Sequence, residues 1–229
     1  MAKVISNDCL GSDMYLLKVC GNYKGKMGQF YMLRAWDNYP LLSRPISIYD
    51  MGEGYISFLY KVVGKGTTLL SKLKVDDEIN LEGPYGNGFP KIQGKIAIVG
   101  GGMGIAPLYL AAKTIKNVDV YLGFRDKAIL VEEYKKQVDN VYVSIGNNVT
   151  DDLDVSKYDY IFTCGPKEMM KKIVEMAKES NTIVYVSMEK RMACGVGACL
   201  VCTCQTKHGN KKTCKDGPVF LGEEVFYNE

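Results

Sequence analysis

The sequence predicts a three-part fold: a small antiparallel β-barrel, then a doubly wound α/β unit, then a compact cysteine-rich end. Three observations predict it. As far as about Gly88 the chain is written in short β-branched and aromatic runs punctuated by Gly, Asn and Asp. From Lys95 the pattern changes to apolar strand runs alternating with helical periodicity, the signature of a parallel sheet. Five of the eight cysteines then crowd between Cys194 and Cys214. The expected boundaries are 1–91, 92–188 and 189–229, and 229 residues suffice for two small domains and an appendix.

In the first part, strands are expected at Met14–Val19, Gln29–Leu33, Ile46–Tyr49, Tyr55–Tyr60 and Glu78–Leu81. About six short strands in under ninety residues suit a small barrel. One helix interrupts it, Thr67 to Lys74, with Leu69, Leu70 and Leu73 on one face. Two features look chemical. In Arg44-Pro45-Ile46-Ser47 the proline forces Arg44 into an extended conformation, and alternation sends Arg44 and Ile46 to one side. An arginine there can grip a phosphate bidentately, and Ser47 can bond the edge of a heteroatom ring. Gly64-Lys65-Gly66-Thr67-Thr68 opens the helix with free N–H groups, an anion site. Taken singly, an Arg-Pro is more often only a strand start, and a Gly-Thr only a cap.

Lys95-Ile96-Ala97-Ile98-Val99 reads as a buried strand, followed by Gly100-Gly101-Gly102-Met103-Gly104-Ile105-Ala106-Pro107 and an apolar helix through Ala112. Strand, glycine turn and helix begin a nucleotide-binding βαβ unit. The turn departs from G-x-G-x-x-G, because Pro107 stands where the third glycine would, and proline is tolerated in a first helical turn. Further strands are expected at Val118–Leu122, Val141–Val143, Tyr160–Thr163 and Ile183–Val186, with helices at Ile129–Gln137 and Lys167–Glu179. Met169, Met170, Ile173, Val174 and Ala177 recur at helical spacing and read as core. Cys164-Gly165-Pro166 falls at the carboxyl end of a parallel strand, the edge where such sheets bind ligands, though a buried packing thiol reads equally well. Gly102, Gly104, Cys164 and Gly165 are therefore the candidate nucleotide contacts. Arg125 and Asp126 end the second strand of this sheet, and could meet a ribose 2′-phosphate or a 2′-OH respectively.

The cysteines Cys194, Cys199, Cys202 and Cys214 are spaced C-x4-C-x2-C, with eleven residues before the fourth. That is the spacing of four thiolates around a plant-type [2Fe–2S] cluster. Gly195, Gly197 and Ala198 let the loop curl and bring N–H groups near sulfur. Thr203 to Lys207 reads as a strand, His208-Gly209-Asn210-Lys211 as a turn, and a return strand through Thr213 would carry Cys214 back. Cys204 has no slot in this pattern. A disulfide framework needs an oxidising compartment, and the N-terminal residues carry no signal-peptide core. A structural zinc site usually arrives as two separated C-x2-C-like knuckles.

Composition narrows the rest. The net charge of +3 is too small and dispersed to argue for nucleic acid, and no apolar run reaches membrane-spanning length. A cytoplasmic address is the default expectation. The single histidine, His208, sits in an expected turn, so histidine acid–base chemistry has little to work with. No catalytic acid or base is assigned.

Arg44-Pro45-Ile46-Ser47, Gly66-Thr67, Gly100 to Pro107, Cys164-Gly165-Pro166 and the cysteine loop occur in the order expected of the ferredoxin reductase superfamily, over nearly the whole chain. Within it, Ser187-Met188-Glu189, Met192, the cysteine motif and Asp216-Gly217-Pro218-Val219-Phe220 resemble the electron-transfer subunits of NAD-linked, class 1B dihydroorotate dehydrogenases of pyrimidine biosynthesis. The resemblance implies FAD on the barrel. Arg44, Pro45, Ile46 and Ser47 would hold its pyrophosphate and ring, Leu59, Tyr60 and Lys61 would line the isoalloxazine, and Gly66-Thr67 would take a phosphate. Ile46 stands where the wider family has an aromatic residue, so ring stacking falls to another side chain, with Tyr60 the candidate.

The resemblance further implies a relay. NAD exchanges electrons in pairs, a [2Fe–2S] cluster one at a time, and a flavin converts between them. Nothing in the chain reads as a substrate-oxidising site. The dihydroorotate chemistry would lie on a separate FMN-bearing subunit docked over the cysteine loop, in a complex of two plus two. The nearer rivals are related relays, the small subunit of a transhydrogenating ferredoxin–NADP reductase or of a sulfide dehydrogenase. A zinc-stabilised nucleotide sensor is the more distant one.

Overall fold

The computed structural model describes residues 1–11 and 13–227. Seven strands make the first sheet: β1 (Ala2–Gly11), β2 (Met14–Cys20), β3 (Phe30–Arg34), β4 (Arg44–Ser47), β5 (Asp50–Gly52), β6 (Tyr55–Lys61) and β7 (Glu78–Tyr85). Their order is β4-β3-β7-β1-β2-β6-β5, with every pairing antiparallel. The two edges are consecutive in sequence, and the chain between them closes the barrel. Ile48 donates its N–H to Gln29 at 2.9 Å, on the β3 side, and Tyr49 donates to Ser57 at 2.9 Å, on β6. Closure removes the open edge that a lone sheet would expose. Leu17, Val19, Leu33, Ile48, Ile56 and Phe58 are among the residues of its buried core.

The strands depart from the sequence reading in three places. β1 and β5 were not among the expected runs. β1 mixes Ser6, Asn7 and Asp8 into its length, and β5 has only three residues. β4 begins two residues before Ile46, because Arg44 already pairs with Leu33. The helix α1 spans Lys65–Leu70 rather than Thr67–Lys74. Its start is drawn back by the Thr67 hydroxyl, which accepts from the N–H groups of Val63 (2.9 Å) and Gly64 (3.2 Å). Its end is set by Asn7, whose side-chain amide donates to the carbonyls of Leu70 (2.9 Å) and Leu73 (3.2 Å).

The second sheet holds β8 (Ile96–Gly101), β9 (Val118–Phe124), β10 (Asn140–Ile145), β11 (Tyr160–Cys164), β12 (Ile183–Ser187) and β15 (Val219–Leu221), in the order β10-β9-β8-β11-β12-β15. The first five are parallel, as the alternation of strands and helices predicts. β15 was not expected; it adds antiparallel to β12, pairing Phe220 with Val186. The glycine turn leads first into a 3-10 helix over Gly102–Leu108 and only then into α2 (Tyr109–Thr114), since Pro107 has no N–H for an α-helical bond. The other helices are α3 (Val131–Lys135), α4 (Lys167–Ala177) and α5 (Gly222–Val225). On α4, Met170, Ile173, Val174 and Ala177 are buried as their spacing requires.

β6 is buried along Ile56–Tyr60, because one face looks into the barrel and the other meets the Gly102–Leu108 turn. Beside it, Tyr49 stacks on Tyr109 with ring centroids 4.3 Å apart. Lys113 of α2 pairs with Asp50 of β5 at 2.7 Å. The cysteine segment forms the hairpin β13 (Thr203–Thr206) and β14 (Gly209–Lys212), with a turn tighter than expected, since Gly209 and Asn210 already belong to the return strand.

Candidate functional site

A cleft of about 360 Å³ opens where the barrel meets the second sheet. Arg44, Pro45, Ile46, Ser47, Leu59, Tyr60, Lys61, Thr67 and Cys164 all line it, so residues far apart in sequence converge on one cavity. Gly66 is not on the wall but explains its shape. A Cβ on Gly66 would overlap the Arg44 guanidinium, so the arginine lies directly on the helix start. Arg44 is further held by Nη1 donating to the Leu42 carbonyl at 2.6 Å, with its guanidinium 5.6 Å from the Trp36 ring. The two motifs that are weak singly thus become one cationic corner. Thr67 spends its hydroxyl on capping Val63 and Gly64, which leaves the outward N–H groups of the first turn as the donors there.

Tyr60 is only 2% exposed, its ring lies 5.8 Å from that of Tyr15, and its hydroxyl donates to Asn7 at 3.1 Å. Most of the ring is therefore committed to the barrel interior. Phe30, Met103, Ser187, Met188, Glu189 and Met192 also line the cleft without having been assigned to it. Ser187-Met188-Glu189 and Met192 stood in a motif without a role, while Phe30 carries no sequence signal beyond that of a strand.

The nucleotide candidates meet at the carboxyl edge of the second sheet. β8 and β11 are neighbours, so the strand order reverses between them, which opens a crevice at that edge. A Cβ on Gly104 would overlap the Cys164 carbonyl, and one on Gly165 would come within 3.0 Å of Gly101. Only glycines allow the two loops to cross so closely. Gly102 faces open space. Cys164 is buried, and desolvation, with a smaller push from the Glu189 carboxylate, raises its thiol well above the ordinary range. It remains a neutral thiol at the cleft floor. Arg125 and Asp126 are both exposed beyond β9.

The four assigned cysteines come together at the far side of β3. Cys202 and Cys214 are buried with their sulfurs 3.2 Å apart, and Cys214 donates its N–H to Cys202 Sγ at 3.4 Å. Burial and then the adjacent Cys202 thiol push Cys214 up to about 12. Cys194 and Cys199 form the outer pair. Hydrogen bonds from the Cys199 and Val196 N–H groups, and then from the Cys199 thiol, pull Cys194 down to about 6. The tight curl needs Gly195 at φ 71°, where a Cβ would press on Met32 at 3.0 Å. Cys204 packs instead into the core beneath the second sheet, with Phe220 and Phe226. Around the outer pair, Val196 (54%), Leu200 (62%) and Val201 (55%) are exposed as an apolar collar.

Two relatives fit this site. The dihydroorotate dehydrogenase B (NAD(+)) electron transfer subunit of Clostridium acetobutylicum is 51% identical, covering 99% of this chain and 97% of that one. The chain belongs to that family. The counterpart from Clostridium perfringens is 46% identical over 97% of this chain and 96% of its own. Within this chain, residues 189–226 match the family described as the iron-sulfur cluster binding domain of dihydroorotate dehydrogenase B. Among solved structures, a chain of the NADH-dependent reduced ferredoxin-NADP oxidoreductase superposes with a TM-score of 0.88 at 31% identity, covering 98% of this chain and 89% of that one. The flavohem-like FAD/NAD binding domain of nitric oxide dioxygenase from Vibrio cholerae superposes at 0.65 with 13% identity, a likeness of fold alone, covering 81% of this chain and 98% of that one.

The donor set of this chain fits a [2Fe–2S] cluster. Four soft sulfurs stand as two pairs, the number and kind of donors such a cluster would take. Among the described residues no three or more such groups converge on a single ion; the thiols are paired instead. The cleft fits FAD in turn, with a largely apolar wall and the Arg44 guanidinium at one corner, seated on the helix start at Gly66.

Proposed function

We propose that this chain is the electron relay of an NAD-linked dihydroorotate dehydrogenase, taking electrons from a partner that oxidises dihydroorotate and delivering them to NAD⁺. The observation that carries it is the convergence of a cationic cleft, a nucleotide edge and four paired thiols around the junction of barrel and second sheet, in a chain 51% identical to an electron transfer subunit. A bound flavin would supply the exchange between single electrons and hydride pairs. The chain's own residues do the rest. Arg44 and the first turn of α1 neutralise phosphate charge, while Pro45, Ile46, Ser47, Leu59, Tyr60 and Lys61 bound the ring region. Gly104 and Gly165 let the two loops cross closely and, with Gly102 and Cys164, shape the edge that would receive the nicotinamide nucleotide. Cys194, Cys199, Cys202 and Cys214 hold the cluster, with the Val196–Val201 collar facing the FMN-bearing catalytic subunit in a complex of two plus two.

The three segments of this reading are 1–91 for FAD, 92–188 for NAD and 189–229 for the cluster, with the last strand of the third borrowed by the second sheet. No helix among the described residues is long and apolar enough to cross a membrane. A cytoplasmic location belongs to this reading, since thiols are kept reduced there.

Co-expression with the catalytic subunit tests the function. The expected result is a coloured complex that reduces NAD⁺ with dihydroorotate; a colourless chain, or one that never joins that partner, would overturn it. The 31% identity to the ferredoxin-NADP oxidoreductase chain supports one second reading, a relay to NADP. Bleaching of the flavin by NADH in preference to NADPH separates them, and a clear NADPH preference would favour the rival.

A further inference from the structure

The flavin cleft and the buried thiol pair share a wall. Phe30 and Met192 both line the cleft. The same two residues pack in one apolar cluster with Met32, Tyr85, Cys202 and Cys214. Phe30 and Met32 follow one another on the same face of β3, Phe30 behind the cleft and Met32 beneath the cysteine loop at Gly195. The Phe30 ring is fixed on its other side by Tyr85, with centroids 5.9 Å apart, and by Gly86, whose Cβ would stand 3.2 Å from its edge. The cysteine segment is clamped to the barrel just after Cys214. Asn87 donates its N–H to the Gly217 carbonyl and its side-chain amide to the carbonyls of Lys215 (3.2 Å) and Asp216 (3.1 Å), and it accepts from Val219 at 3.3 Å.

We propose that Phe30 and Met192 form a dry partition, one side chain thick, that sets both the electronic coupling and the potential difference between the two redox sites. This deepens the reading above and rests on it. Phe30 and Met192 are positioning residues and are neither oxidised nor reduced. In the loaded complex electrons would cross the partition singly, and two of them with one proton from solvent would make up the hydride passed to NAD⁺. Two physical consequences follow. Coupling falls steeply with the gap, so the partition must stay thin and filled. The apolar shell around a metal site controls solvent access and so its potential, and a reduced cluster carries one more negative charge than an oxidised one. A dry wall therefore keeps the cluster hard to reduce and ready to give its electron to the flavin.

The test uses the complex with its catalytic subunit, carrying Met192→Gln, Met192→Leu or Phe30→Leu. The midpoint potential of the cluster is read by redox titration with EPR detection, alongside iron and flavin content. Met192→Gln should favour the reduced cluster by about tenfold, equal to about 59 mV for a one-electron couple. Met192→Leu, which keeps the wall dry, should restore the wild-type potential. Phe30→Leu should slow electron exchange between flavin and cluster by about tenfold or more, followed by rapid freezing after NADH is added. If, with full iron and flavin, Met192→Gln leaves the cluster potential within about 18 mV of wild type (a twofold change in the equilibrium) and Phe30→Leu leaves the exchange rate within twofold, the partition is refuted. If Met192→Gln does not fold, the other two decide: a potential in Met192→Leu shifted as far as a polar residue should shift it, or an unchanged rate in Phe30→Leu, also refutes it. A wild-type complex lacking flavin or cluster would instead sink the functional reading.

Discussion

Gly66→Ala adds one methyl group where the structure leaves none of the space it needs. The new Cβ would fall inside the Arg44 guanidinium, and the helix backbone cannot retreat because Thr67 is tied to Val63 and Gly64. Arg44 must therefore swing off the helix start, losing its place at the cationic corner of the cleft. A charge-assisted hydrogen bond is worth about 1.5–3 kcal/mol, so FAD should bind about 10- to 150-fold more weakly. Helix stability should move the other way, since Ala improves on Gly within a helix by roughly 0.5–1 kcal/mol. Affinity and folding are thus separated in one variant. Titration of apoprotein with FAD, followed by flavin fluorescence, measures the first, and thermal unfolding of the apoprotein measures the second. Arg44→Ala should lose as much affinity by itself, and adding Gly66→Ala to it should cost nothing more, the non-additivity expected of residues in contact. Should Gly66→Ala keep wild-type FAD affinity while Arg44→Ala loses it, the claim that the helix start positions the arginine is wrong.

Three other outcomes are expected. Cys199→Ser should strip or destabilise the cluster, because a hydroxyl is a poor ligand for iron, and should abolish dihydroorotate-to-NAD⁺ electron flow; iron content and the visible spectrum report it. Cys204→Ala should keep the full cluster spectrum, since that thiol packs against Phe220 and Phe226 instead; loss of iron there would refute the ligand set. In cluster-free protein, alkylation of Cys194 should follow a titration centred near pH 6, with Cys202 and Cys214 protected. The sign is fixed by the lowered thiol: the hydrogen bonds to Cys194 thiolate contribute fully above its ordinary value of 9.0 and are lost as pH falls through about 6. Peptide mapping after labelling at pH 5 and pH 8 checks it, and equal labelling at both would contradict the geometry.

The cysteine cluster, the glycine turn and the alternation of strands with helices were legible in the sequence because each is a local pattern. Ligand spacing is set by the cluster, glycines by close backbone approach, and periodicity by which face a strand or helix buries. Arg44-Pro45 and Gly66-Thr67 were legible only as two weak signals. Their union into one corner is a contact between a strand and a helix, and spacing along the chain carries no trace of it. The same limit explains β15, whose three residues become a strand only because the edge of β12 is there to receive them. It explains why Tyr60, an aromatic in a suitable place, turns inward to Tyr15 and Asn7. Above all it explains Phe30. By sequence it is one apolar residue in a β-strand. Only the closing of the barrel and the clamping of the cysteine loop by Asn87 set it between the cleft and the thiols, because which surface a buried side chain touches is decided by packing between distant elements.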